Sequence, residues 1–321
     1  MSTLASSRRA RARVFPRIAR AVVRVLRFLF ILALVSFPVP LATCLALILT
    51  PLRRNLPAEV LRMSPLPSGE GKWPLLPAHV LRGRGARRVS SRRGGDMRVL
   101  VTGASRGIGL KLVEKYLAHG DEVVAAVRDP DGAAELRALA SPRLHVVAMD
   151  VGSTESVRAA AARCPEGPFH VLINNAALNG GPQRAPGMDL ERAACILDVN
   201  AVGPMRVYDT FIERVRAAEG PRVVVNVSSD SGSLSAFRVS GKPEYAMSKA
   251  ALNALTLWQA AQEPRVICVA LHPGWTRTAM GGDKAPYSDE ETAGRMLEAI
   301  ARLGPEHSGL FLDTALEPLP W

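Results

Sequence analysis

From Met97 onward the chain alternates short apolar runs with stretches of helical hydrophobic period, and that order leaves few folds open. It is the pattern of a parallel sheet covered by helices on both faces. Candidate strands are Arg98–Thr102, Glu122–Val127, Leu144–Met149, Phe169–Ile173, Arg222–Val227, Arg265–Leu271 and Gly309–Asp313. Helical patterns lie near 107–119, 131–140, 153–163, 189–218, 243–262 and 288–302. Seven strands and six helices fill one doubly wound α/β domain over 97–321. The chain has no internal repeat.

The 96 residues before that domain read differently. The formal net charge of +12 is concentrated there: residues 1–96 hold 18 Lys and Arg against 3 Asp and Glu, whereas 97–321 hold 23 against 26. The domain therefore has no basic excess with which to grip phosphates, and nucleic-acid binding is excluded. Residues 1–27 form an Arg-rich N-terminus, and Phe28 to Leu52 runs without a charge, long enough to span a bilayer. Pro38 and Pro40 would break a water-soluble helix, though membrane helices tolerate proline better. Residues 53–96, rich in Pro, Gly and Arg, read as a disordered linker. Three readings of 1–96 stay open. They are a membrane anchor through 28–52, a cleaved organelle-targeting presequence, or an upstream extension of a cytoplasmic protein starting at Met97. Cys44, Cys164, Cys195 and Cys268 are scattered and the six histidines dispersed, so neither a disulfide framework nor a metal site is expected. His272, before Pro273-Gly274, reads as structural.

Two features carry chemistry. The first is Val99-Leu-Val-Thr-Gly-Ala-Ser-Arg-Gly-Ile-Gly-Leu, which follows a strand and opens a helix. Gly103, Gly107 and Gly109 let the backbone turn tightly and approach a pyrophosphate resting on the helix N-terminus. The second strand ends at Arg128, where an acidic residue would accept from a free ribose and a cation suits a 2′-phosphate. With Arg106 in the turn, this favours NADP(H) over NAD(H). The second feature is Tyr245 and Lys249 in Pro243-Glu-Tyr-Ala-Met-Ser-Lys. At i, i+4 on a helix they share a face. A fixed ammonium favours the phenolate; bringing a phenol from near 10 toward neutrality takes roughly 4 kcal/mol. The pair suits proton exchange with a carbonyl or alcohol oxygen.

With these elements in order, the stretch from Met97 to Trp321 resembles the short-chain dehydrogenase/reductases, whose domain is Rossmann-like. Thr102-Gly-Ala-Ser-Arg-Gly-Ile-Gly is similar to the family's cofactor turn, and Asp150-Val151 to its adenine-contacting pair. Asn174-Asn-Ala-Ala resembles an Asn-Asn-Ala-Gly element, with Ala177 in place of the usual glycine. Asn200-Ala-Val-Gly203 resembles the segment supplying a catalytic asparagine, Val225-Asn-Val-Ser-Ser-Asp230 the one supplying a serine, and Pro273-Gly-Trp-Thr-Arg-Thr278 the one covering the nicotinamide. Leu271–Gly282 and the terminal Leu319-Pro-Trp321 look like sniffer-type carbonyl reductases and C-factor-like proteins.

The resemblance implies roles. Tyr245 is the proton donor, Lys249 lowers its pKa and bonds the nicotinamide ribose, and Ser229 bonds the substrate carbonyl, with Ser228 as the competing serine. Asn200 holds a water leading from Lys249 to solvent. The implied cofactor contacts are Gly103, Ser105, Arg106, Gly107, Ile108, Gly109, Arg128, Asp150, Val151, Asn175, Ala176, Ala177, Tyr245, Lys249, Pro273, Gly274, Thr276 and Thr278. Trp275 and Tyr287 flank a Gly- and Pro-rich lid, though Trp275 also reads as simple packing. The expected activity is NADP(H)-dependent reduction of a small or lipophilic ketone, aldehyde or quinone. A membrane-anchored lipid- or sterol-type dehydrogenase and a non-catalytic NADP(H)-binding signalling protein are the alternatives. Homo-oligomers are expected, because 189–218 and 243–262 resemble the helices that pair subunits in this family.

Overall fold

The computed structural model describes residues 97–237 and 241–321; the expectations for 1–27, 28–52 and 53–96 lie outside the described residues. Strands β1 (Arg98–Thr102), β2 (Glu122–Val127), β3 (Leu144–Ala148), β4 (Val171–Asn174), β5 (Val223–Val227), β6 (Ile267–Leu271) and β9 (Phe311–Leu312) form one parallel sheet in the order β3-β2-β1-β4-β5-β6-β9. Between β6 and β9, two short strands β7 (Thr276–Arg277) and β8 (Tyr287–Ser288) pair as a parallel ribbon. The helices are α1 (Gly107–Ala118), α2 (Ala134–Ala138), α3 (Thr154–Arg163), α4 (Leu190–Leu197), α5 (Gly203–Arg216), α6 (Pro243–Gln262) and α7 (Asp289–Arg302). Among the described residues no helix is long and apolar enough to cross a membrane.

Alternation along the strands explains why they read as unbroken apolar runs. Val99, Val101, Val123, Ala125, Val171, Ile173, Val225 and Val269 pack into one core layer with Leu110 and Val113 of α1 and Met296 and Ile300 of α7. The intervening Leu100, Val124, Leu172, Val224 and Cys268 point the other way, to Val157 of α3 and Phe211 and Val215 of α5. A sheet buried on both faces has no solvent side to require polar residues. Each such side chain contributes about 1.5–3 kcal/mol by leaving water.

Several boundaries differ from the sequence reading, most by one or two residues at strand ends, and three of the differences have a visible cause. The stretch 189–218 is not one helix: α4 and α5 are joined by a wide π-helical turn over Asp198–Val202. Pro204 has no N–H to give the preceding turn, so the ladder is interrupted there. The helix expected over 131–140 shrinks to α2. Asp129 Oδ1 accepts from the amides of Asp131 (3.1 Å) and Gly132 (3.0 Å), holding the chain in a turn before it. Phe169 precedes β4, yet it is fully buried against Phe211 (ring centroids 5.7 Å) and the Arg214 guanidinium (4.4 Å).

The strand order reverses between β1 and β4. Their carboxyl ends open the crevice where doubly wound sheets hold ligands.

Candidate active site

At that crevice the glycine turn is fixed from the neighbouring strand. Thr102 Oγ1 accepts from the amides of Asn175 (3.0 Å) and Ala176 (3.1 Å), and Asn175 Nδ2 donates to the carbonyls of Thr102 (2.9 Å) and Gly103 (3.2 Å). Gly103 has φ +66°, and a Cβ there would fall 2.7 Å from Ala176 Cα. A Cβ on Gly109 would fall 2.3 Å from the Gly103 carbonyl oxygen. No other residue type fits this turn, which leaves the α1 N-terminus open to a close-lying anion. Thr278 lies directly over Gly107, its methyl 3.4 Å from where a Cβ would sit. Arg106 and Arg128 are both exposed, and neither has an ion pair among the described residues. Asp150 and Val151 follow β3, and Asp150 accepts from the Gly152 amide at 2.9 Å.

A cleft of about 570 Å³ runs from this turn along the carboxyl end of the sheet. Ile108, Tyr245, Pro273, Gly274, Thr276 and Thr278 line it together with Ser228 and Ser229, whereas the other expected cofactor residues and Lys249 do not. The two serines differ in setting. Ser228 is 2 % exposed and donates to Asn253 Oδ1 at 2.6 Å, so its hydroxyl is engaged in the core. Ser229 caps the short turn Asp230–Gly232 and donates to Asp230 Oδ1 at 3.0 Å, at the cleft surface. The Thr276 hydroxyl is taken by Thr292 (2.9 Å) and Gly274 (3.1 Å), leaving it a structural role. His272 is structural too: its Nδ1 accepts from the Asp230 amide at 3.3 Å, and burial pushes its pKa down.

The phenol of Tyr245 stands higher than the sequence suggested. Burial, with Asp230 adding, pushes its pKa up to about 12, and only the Ser229 hydroxyl opposes them. Lys249, 3 % exposed, responds to burial instead and falls to about 8. Its Nζ donates to the Val227 carbonyl at 2.7 Å and lies 5.6 Å from the Tyr245 ring centre. Even with Lys249 on the same helix face the phenol lies above its ordinary value, because burial outweighs what the neighbouring ammonium contributes.

Asn200 sits in the π-helical turn, 1 % exposed, and does not line the cleft. Its Oδ1 accepts from the Leu178 amide (2.7 Å), and its Nδ2 donates to the Leu178 carbonyl (2.8 Å) and Ser248 Oγ (3.0 Å). It stitches the segment after β4 to α6, the helix that carries Tyr245. Ser248, Asn253, Asn179 and Lys242 are site residues that the sequence reading passed over. Asn179 and Lys242 line the cleft, and Asn179 Nδ2 reaches the Met280 carbonyl at 3.2 Å across it. Trp275, half exposed, donates from Nε1 to the Gly281 carbonyl at 2.9 Å, so the lid segment folds on itself.

Residues 97–288 match the family described as short chain dehydrogenase. The chain belongs to this family. Among its short-chain dehydrogenase relatives, C-signal of Myxococcus xanthus is 38% identical over 167 residues, covering 51% of this chain and all of that protein. The NADPH-bound carbonyl reductase from chicken fatty liver is 34% identical with a TM-score of 0.67, covering 74% of this chain and 99% of that one. Carbonyl reductase Sniffer of D. melanogaster is 28% identical with a TM-score of 0.66, covering 70% and 99%. The chain is thus a short-chain dehydrogenase/reductase with a carbonyl-reductase-like fold, an oxidoreductase by family. Its residues fit a phosphorylated dinucleotide: glycines that let the turn pack tightly at the α1 N-terminus, and two exposed arginines, Arg106 at the start of α1 and Arg128 just after β2.

Proposed function

We propose that this short-chain dehydrogenase/reductase reduces a small or lipophilic ketone, aldehyde or quinone with NADPH. The observation that carries the reading is the meeting of the Ser229 and Tyr245 hydroxyls in one cleft with Ile108 and Thr278 of the glycine turn. NADP(H), when bound, supplies the hydride that the carbonyl carbon receives. Gly103, Gly107 and Gly109 admit its pyrophosphate to the α1 N-terminus, and Arg106 with Arg128 face its 2′-phosphate. Ser229 holds the substrate carbonyl oxygen by a hydrogen bond that strengthens as charge develops there. Tyr245 gives that oxygen its phenolic proton. A phenol with a pKa pushed up to about 12 is fully protonated at neutral pH and ready to donate, but reluctant to stay ionised. Lys249 offsets that reluctance once the phenolate forms, its ammonium lying on the same helix face. Asn200 keeps this helix in register with the segment after β4. Trp275 and Met280, both exposed at the lid, suit an apolar substrate.

We also propose that subunits pair through α5 and α6, which expose Met205, Met247 and Trp258, the Trp258 ring meeting Tyr208 edge-on at 6.1 Å. Light scattering of the purified protein reads this directly.

The deciding experiment is NADPH consumption by the purified protein across a panel of carbonyls, with Tyr245→Phe alongside. Turnover in the parent and a loss of at least about a hundredfold in the variant support the reading. The similarity to C-signal favours a second reading, an NADP(H)-binding signalling protein. Equal inactivity of parent and variant with intact NADPH binding would select it.

A further inference from the structure

Residues on both sides of the chain between Ser229 and Tyr245 line the cleft: Ser229 to Ser231 at one side, Gly241 and Lys242 at the other. Residues 232–237 continue directly from the first of these. Their inner part is tied to the core. A Cβ on Gly232 would lie 2.8 Å from the Lys249 backbone, and the Gly232 carbonyl accepts from Asn253 Nδ2 at 3.3 Å. Ser233 Oγ accepts from the Ala236 amide at 3.0 Å, closing a small turn. Leu234 within that turn and Phe237 just after it are large apolar side chains, 73% and 53% exposed. Such a segment has little burial of its own to hold it in one conformation.

It is held by the other end of the domain. The Ser235 amide donates to the Trp321 carbonyl at 2.7 Å, and the Ser235 hydroxyl donates to the same oxygen. Trp321 is itself placed by β9. The chain reverses after Asp313, whose Oδ1 accepts from the amides of Ala315 (2.8 Å) and Glu317 (3.0 Å). It then runs back antiparallel, with Leu312 paired to Pro318 and the Leu319 amide bonded to the Phe311 carbonyl at 2.7 Å. The Trp321 ring stacks on the fully buried Phe311 ring, centroids 5.7 Å apart and planes inclined by 30°. A core aromatic thus fixes a tryptophan, and the tryptophan's main-chain oxygen holds Ser235 and the turn around it.

We propose that Trp321 is a positioning residue for substrate: it clasps residues 233–237, which follow directly on the cleft-lining Ser229–Ser231, and so holds that side of the cleft in one arrangement. The proposal rests on the carbonyl-reductase reading for its kinetic consequence but not for its structural one. The glycine turn, Arg106 and Arg128 lie outside this clasp, so cofactor binding is independent of it.

The test uses the full chain with Trp321→Ala, Trp321→Phe and Ser235→Ala. Trp321→Ala should speed hydrogen exchange of the Ser235 amide about tenfold or more while β5 and α6 keep their protection. It should also raise the KM for a carbonyl substrate about tenfold with NADPH affinity unchanged, the effect of losing two hydrogen bonds. Trp321→Phe, which keeps a ring to stack, should restore both. Ser235→Ala, which removes one of the two bonds without touching the tail, should give a smaller rise in KM even if Trp321→Ala fails to fold. Unchanged exchange at Ser235, or losses of carbonyl and NADPH binding that move together, would overturn the clasp. If the parent protein turns over no carbonyl, the functional reading fails and the exchange measurement alone decides the clasp.

Discussion

The Lys249 ammonium lies 5.6 Å from the centre of the Tyr245 ring and spends its hydrogen bond on the Val227 carbonyl, 2.7 Å away. The pair is therefore close without being joined. Burial pushes the phenol up to about 12 and the lysine down to about 8, each shift weakening the charged form. At neutral pH the phenol is therefore protonated, while Lys249, with a pKa of about 8, still carries its ammonium. Charge appears on the tyrosine only when its proton leaves, and the lysine is then the nearest group on the helix face able to compensate it.

Replacing Arg128 with Asp should change which cofactor is used. A charge-assisted hydrogen bond to a phosphate contributes about 1.5–3 kcal/mol, so losing it should raise the NADPH Kd roughly 10- to 100-fold. NADH, with a free ribose hydroxyl in place of the phosphate, should bind as well as before or better. Fluorescence titration with both dinucleotides measures this. An unchanged preference would mean that Arg128 does not face the 2′ position.

The features legible in the sequence are those whose cause is local. α6 spans 243–262 as expected because Pro243 starts it and its helix-forming residues run unbroken, which also fixes the face shared by Tyr245 and Lys249. The glycine turn was legible because its conformation demands glycine at Gly103 and Gly107, both with positive φ. What escaped is carried by partners far apart in the chain. The role of Asn200 is set by Leu178 and Ser248, 22 and 48 residues away, and that of Trp321 by Ser235, 86 residues away. The β7–β8 ribbon has two residues per strand, too few to show an alternation. The pKa values of Tyr245 and Lys249 depend on burial, which spacing along a helix does not reveal.

Asn200→Ala should cost stability as well as activity. It removes three hydrogen bonds and leaves both backbone groups of Leu178 without their partner. At about 1 kcal/mol for each bond, with extra for buried groups left unpaired, the loss should be about 2–4 kcal/mol in urea unfolding. Turnover should fall further than NADPH binding, because the displaced segment abuts the helix bearing Tyr245. A stability loss below about 0.5 kcal/mol would show that the stitch does not hold that segment in place.

Ala140→Gly should stabilise the protein. Ala140 follows α2 with φ +40° and is exposed, so its side chain contributes strain and no packing. A left-handed conformation costs an L-residue roughly 1–2 kcal/mol, and glycine's greater unfolded-state entropy returns about half of that. A net gain of up to about 1 kcal/mol should raise Tm by about 2–4 °C in a domain of this size. A lower Tm would contradict the left-handed assignment.

Lys249→Met should be more stable than the parent at neutral pH while losing turnover. Burial lowers Lys249 from 10.5 to about 8, and unfolding returns it to 10.5. Between those two pH values the unfolded chain holds a proton that the folded chain has released, so stability rises with pH across that window. Below pH 8 both states are protonated, and the buried ammonium costs the fold about 3 kcal/mol. Methionine fills similar space without the charge but forfeits the bond to Val227, worth about 1–2 kcal/mol. The net gain should therefore be about 1–2 kcal/mol at pH 7 and should shrink or reverse by pH 10.5. Urea unfolding at pH 7, 9 and 10.5 reads the difference directly. The parent's stability relative to the variant should climb with pH, whereas a constant difference would mean that Lys249 keeps its charge in the folded protein throughout.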